Sequence, residues 1–172
     1  MPESNDDQWV NFFFGAPSST AEVPTLEISQ PDFSQVWRVQ AKYREGFWAR
    51  LESGEQVFFQ YVPLGLKLLE DRGNLDFGMT VTFGDLGEIL PDEVQRGRAA
   101  GSLRTSPPRV VYRSYRSDGM ERPMFGPVVL QARTITRSPE GSQFDAAAPQ
   151  VNVSKTGRVY RSDEFPMLRG FL

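Results

Sequence analysis

The chain of 172 residues contains no cysteine and no histidine. Without cysteine there is no disulfide framework, no thiolate metal site, no iron–sulfur cluster and no thiol nucleophile. Without histidine the commonest general base and the commonest metal ligand are missing too. These absences argue against an enzyme and against a bound metal or cofactor, and the expectation is a protein with neither. Long apolar runs are also lacking: none approaches the roughly 18 residues of a membrane helix. The opening "MPESNDDQWVNFFFG" is acidic rather than basic, unlike a signal peptide. The reading is a chain made in a cytoplasm and kept whole.

What is present is an ordinary apolar share, 39%, in a length that suits one domain. The charge is unevenly placed. Residues 1–93 hold 6 Lys+Arg against 16 Asp+Glu, whereas residues 94–137 hold 9 Arg against 2 acids, and residues 138–172 balance at 4 against 4. Two regions of opposite sign favour head-to-tail contact between copies, closing into a ring when the rotation allows. Alternatively they neutralise each other within one fold. Both termini are apolar: Trp9, Phe12, Phe13 and Phe14 at the start, and Phe165, Pro166, Met167, Leu168, Phe171 and Leu172 at the end. Termini usually fray into solvent, so these residues are candidates for docking, in the chain's own core or on a neighbouring subunit.

Residues 1–22 read as an arm, and 23–172 as the domain. From Leu26 the apolar period is two. Leu26 and Ile28, then the stretch from Val36 to Val39, read as strands split by a turn at Pro31-Asp32. "FWARLESGEQVFFQYVPLGLKL" reads as a hairpin turning at Ser53-Gly54, with Pro63 marking an edge or a bend. Phe77, Met79, Val81 and Phe83 alternate as a strand face. Leu86, Ile89, Leu90 and Val94 then recur at helical spacing, with Asp85 a possible cap and Pro91 acceptable in the first turn. Thereafter "RVVYRSYRS", "PVVLQARTITRS", "SQFDAAAPQVNVS" and "GRVYRS" read as strands, with turns at Asp118-Gly119, Pro139-Glu140-Gly141 and Thr156-Gly157. The predicted fold is mainly β, a tube-like barrel or sandwich with one short α-helix.

No motif points to catalysis. The acids carry no spacing that singles out a pair, "DLGEILPDE" lacks the alternate oxygen ligands and central glycine of a calcium loop, and there is no Walker loop or GxSxG elbow. Arginine interleaved with tyrosine in "RVVYRSYRSDGMERP" has the profile of a nucleic-acid contact, yet the domain as a whole is acidic. On a strand, Val111, Arg113 and Tyr115 share one face and Val110, Tyr112 and Ser114 the other.

The order of four segments resembles a family of small minor-tail proteins of long-tailed bacteriophages: "TLEISQPDFSQVWRVQ", "FFQYVPLGLKLLEDRGNLDFGMTVTFGDLGEILP", "PPRVVYRSYRSD" and "FPMLRGFL". The resemblance covers residues 22–172. Its second segment is also distantly similar to the first barrel of the tail-tip hub proteins of lambda-like phages. Several such hubs carry a cysteine cluster near the C-terminus, and this chain departs from them there.

The resemblance implies a structural virion protein at the distal end of the tail, where the tube meets the tip or baseplate, built on a tube-like barrel that pairs strand edges between copies. It implies a homo-hexameric ring rather than a trimer, with tube and hub proteins as neighbours, DNA only as non-specific cargo in the lumen, no membrane and no catalytic residues. A channel that lets DNA slide must not hold phosphates, so Arg109, Arg113, Arg116 and Arg122 are expected to turn toward acidic partners. The alternative is a soluble tail-assembly factor or a carbohydrate-binding tip module, with Trp37, Trp48 and Tyr61 stacking on sugars.

Overall fold

The computed structural model describes residues 20–68, 78–84, 89–103, 105–138 and 141–148, together with residues 10, 14 and 15. The elements in order are β1 (Glu22–Ser29), β2 (Trp37–Gln40), β3 (Phe47–Arg50), β4 (Gln56–Tyr61), β5 (Leu64–Leu68), β6 (Gly78–Phe83), α1 (Ile89–Ala99), β7 (Arg109–Arg116), β8 (Phe125–Ser138) and β9 (Gly141–Ala147). The fold is mainly β, as the period-two patterning predicts. All strands join one nine-stranded sheet in the order β3-β4-β2-β1-β7-β8-β9-β6-β5.

The alternating strands place one residue in two on a common apolar face. Leu26 and Ile28 of β1, Val39 of β2, Met79, Val81 and Phe83 of β6, Val110 of β7, Leu130 and Ala132 of β8, and Phe144 and Ala146 of β9 form one cluster with Phe33 and Val62. Each large aliphatic or aromatic side chain so buried contributes about 1.5–3 kcal/mol. A single sheet in which β1, β2 and β5 to β9 all line one cluster has curled upon itself. Pro24 fits because of register: Ser117 N–H donates to Ala21 O, so alternation turns the Pro24 nitrogen away from β7, and the pairs of β1 with β2 begin only at Thr25.

Closure runs through residues 56–68. Val62 N–H donates to Gln40 O at 2.8 Å, extending the parallel pairing of β4 with β2 (Val39 with Gln60, Gln40 with Tyr61). One residue later, Gly84 N–H donates to Pro63 O at 2.9 Å, extending the antiparallel pairing of β5 with β6. Consecutive residues of an extended strand bond to opposite sides, so β2 lies on one side of this segment and β6 on the other. β2 and β6, which the strand order separates by β1, β7, β8 and β9, are thus joined across Val62-Pro63, and the sheet closes there. Pro63, read from sequence as an edge or a bend, falls where the segment changes partner from β2 to β6; its carbonyl accepts from Gly84, and the reciprocal bond of that pair is missing because proline has no N–H.

Two bulges shape β8. Against β7, Gly126 and Pro127 stand opposite Arg113 alone, because Tyr112 pairs with Val128 and Ser114 with Phe125. Gly126 adopts φ +96 there, and a Cβ would lie 2.6 Å from Tyr112 O, so only glycine fits. Against β9, Arg133 is the extra residue between Ala132 and Thr134.

Residues 30–36 connect β1 to its antiparallel neighbour β2 and carry Phe33 into the core. α1 is tied to this crossing: Glu93 accepts from Ser34 N–H at 2.8 Å and from the Ser34 hydroxyl. Pro91 sits in the first turn of α1, where a missing N–H costs nothing. Asp92 in the first turn and Arg96 and Arg98 in the last complement the helix dipole. The expected cap Asp85, the positions Phe77 and Leu86, the strand "GRVYRS" and the turn at Thr156-Gly157 lie outside the described residues.

Candidate interaction surface

The hairpin β3–β4 stands at one end of the strand order, with its own small core. Leu51 N–H donates to Glu55 O and Gly54 N–H to Leu51 O, both at 2.9 Å, which makes the predicted Ser53-Gly54 turn. One face of the hairpin packs on the outer wall of the barrel: Ala49, Val57 and Phe59 join Val23 of β1 and Tyr115 of β7, flanked by Tyr43, Phe47, Leu51 and Met120. Phe47 stacks on Phe59 with centroids 5.6 Å apart, and Tyr115 meets Phe59 at 5.9 Å. Burial raises the Tyr115 hydroxyl above its ordinary pKa; Arg113 opposes the rise, and Glu52 and Glu27 add to it. The neutral hydroxyl donates to Arg50 O at 3.0 Å.

The opposite face looks outward. Leu51 and Glu55 form a bonded pair, so alternation makes Trp48 and Phe58 a non-bonded pair, in which side chains approach closely. Their rings meet at 5.3 Å with an interplanar angle of 58°. Trp48 is 59% exposed and Phe58 41%. Gly46 underlies them: a Cβ there would lie 2.3 Å from Phe58 Cζ, and its φ is +73. Arg50, on the same face, forms an exposed ion pair with Glu121 at 3.1 Å. The outer edge of β3 is largely occupied, because Arg50 N–H donates to Met120 O at 2.9 Å and its carbonyl accepts from Tyr115. Only Trp48 directs both backbone groups to the open side, so β3 is a blunted edge.

Beneath the hairpin turn lies a group of charges. Arg113 is 6% exposed and Glu27 8%. Arg113 Nε donates to Glu52 Oε1 at 2.6 Å, its Nη1 lies 3.7 Å from Glu27 Oε2, and Arg38 Nε donates to that same oxygen at 3.0 Å. The register places Thr25 opposite Arg113 and Glu27 opposite Val111 on this outer face. Sequence reading assigned the strand but not the charge group. The available signal was a lone acid in "VPTLEIS" and a lone base in "VVYRSY", each inside an apolar strand, where an unpaired charge would be prohibitive.

The interface candidates fall in different places. Arg113 is buried within the subunit, its charge met by the chain's own Glu27 and Glu52. Arg116 forms a two-point pair with Asp118, at 2.9 and 2.8 Å, and this hydrogen bonding holds the Asp118 carboxyl below its usual range. Arg109 and Arg122 are exposed. Phe14 is 88% exposed. Trp9, Phe12, Phe13, Phe165, Pro166, Met167, Leu168, Phe171 and Leu172 lie outside the described residues. Of the three aromatics considered for sugar stacking, Trp37 packs against the main core, Tyr61 is half-buried on β4, and Trp48 is exposed. Phe58 was not singled out from sequence; its position opposite Trp48 follows from the hairpin register.

Among the described residues, no group of three or more acids could hold a metal ion, and no helix is long and apolar enough to cross a membrane. The chain matches no known protein-family model, and no curated protein matches it significantly.

Proposed function

We propose that the chain is a structural protein of a bacteriophage tail, assembled as a homo-hexameric ring at the distal end, where the tube meets the tip. The observation that carries this reading is the outward face of the β3–β4 hairpin. Trp48 and Phe58 pack against each other and face solvent on a hairpin whose opposite face is packed on the barrel wall. A second subunit would bury such a face. The four segments that resemble minor-tail proteins support the same conclusion. So does the handling of charge: with Arg113 and Arg116 neutralised inside the subunit, the arginine-rich strand offers fewer phosphate contacts to passing DNA than its sequence suggests.

Quantitative proteomics of purified virions tests the proposal. A ring protein remains in washed, intact particles at several copies per tail, close to six. A chain found in infected cells but absent from virions would be an assembly factor.

The carbohydrate-binding alternative has one observation in its favour, the same Trp48–Phe58 pair flanked by the polar Arg50 and Gln56. It predicts glycan binding by the isolated subunit that Trp48→Ala abolishes.

A further inference from the structure

α1 buries a sparse face. Among its described positions Glu93, Val94 and Gly97 are buried, on one side of the helix, while Asp92, Gln95, Arg96, Arg98 and Ala99 are exposed. That side holds a carboxylate, a valine and a glycine, and Val94 stands outside both described apolar clusters. The helix also finishes itself. Gly101, at φ +71, donates its N–H to Arg98 O at 3.0 Å, and Ser102 N–H donates to Gly97 O at 3.2 Å. The last carbonyls are thus satisfied within the element. Leu103 folds back on Gly97 so closely that a Cβ there would lie 2.8 Å from Leu103 Cδ2.

The described hydrogen bonds that fasten this unit are gathered on the connection between β1 and β2. At one end Glu93 accepts from the Ser34 N–H and hydroxyl. At the other, Gln30 Nε2 donates to Ser102 Oγ at 2.8 Å, and the Ser102 hydroxyl donates to the Asp32 carboxylate. Among the described residues, no strand bonds to residues 89–103. Trp37 lies beneath the first clamp. Its buried indole N–H closes no hydrogen bond among the described residues, though it lies near enough to Glu93 to favour the carboxylate. An N–H held from water without a partner is better solvated once its cover lifts. A helix with little apolar burial, a cap of its own and two polar clamps can leave as one piece.

We propose that residues 89–103 form a latch that opens from the β1–β2 connection as one unit while the barrel stays folded, uncovering Trp37. Hydrogen exchange of the full chain, resolved by residue, tests this. Glu27 and Val111, paired within β1 and β7, serve as references for global unfolding. The amides of Gln95, Gly97, Arg98 and Ala99 should share one protection factor, about a hundredfold or more below that of the references. The Trp37 indole N–H should share it too, since the same opening uncovers it. Ser34→Ala removes the hydroxyl bond at one clamp and Ser102→Ala that at the other. Each should lower all of these protections together, by about tenfold, and leave Glu27 and Val111 unchanged. Protection of α1 equal to that of the references would overturn the proposal, because helix and barrel then open only together. Variants that loosen only the nearer amides, or none, would also overturn it, since the helix then frays from its ends or is fastened elsewhere. A Trp37 indole as protected as the barrel would do the same.

Discussion

Arg113 and Glu27 lie 3.7 Å apart on the outer wall of the barrel, with Arg38 closing on the same Glu27 oxygen and Glu52 reaching Arg113 from the hairpin turn. The group ties four elements together: β1 through Glu27, β2 through Arg38, β7 through Arg113 and the β3–β4 turn through Glu52. Removing the central cation leaves Glu27 buried with a single partner. Arg113→Ala should therefore cost about 3 kcal/mol or more. Glu52→Gln, at a carboxylate about one-third exposed, should cost about 1 kcal/mol or less. Urea denaturation of the two variants measures the difference, and equal losses would contradict this account of the group.

Trp48→Ser and Phe58→Ser should separate folding from assembly. Both side chains project from the outer face of the hairpin, away from the cluster formed by Ala49, Val57 and Phe59. Their loss should change unfolding free energy by about 1 kcal/mol or less. The same changes should weaken self-association severely. Thermal melts and sedimentation velocity on the same preparations read the two effects.

Glu93 gives the fold an acid-sensitive anchor. Burial acts to raise its pKa, but the hydrogen bonds from the Ser34 hydroxyl and backbone N–H, aided by Arg96, outweigh burial and hold it below 4.5. A carboxylate with a depressed folded pKa stabilises the protein fully above its unfolded value; that contribution fades as pH falls from about 4.5 through the lower folded value. Glu93→Gln should lower stability at pH 7 and flatten the acid limb of the stability profile. Denaturant midpoints between pH 3 and 7 check both. A variant that retains the wild-type slope below pH 4.5 would place the acid sensitivity elsewhere.

Local patterning made much of the fold legible. The face of Met79, Val81 and Phe83 is buried as its alternation predicts, and Ser53-Gly54 forms the turn its residue types favour. Pro91 falls in the first turn of the helix. The seam was not legible, because the parallel pairing of Val39 and Gln40 with Gln60 and Tyr61 joins segments separated by a whole hairpin, and no local period encodes a register of that kind. The charge group was hidden for a related reason. Glu27 and Arg113 are far apart in sequence, and only the antiparallel register of β1 on β7, with the hairpin folded over both, brings them together. Exposure of Trp48 was equally ambiguous. Strand aromatics at Phe47 and Phe59 turn inward while Trp48 and Phe58 turn outward, and the choice depends on which face of the hairpin meets Tyr115.

The most direct test of the central claim is the native mass of the purified full-length chain, measured by mass spectrometry across a wide concentration range. The account predicts a closed species of six chains, lost on Trp48→Ser. A 19.4 kDa particle that stays single at the highest concentration would contradict it.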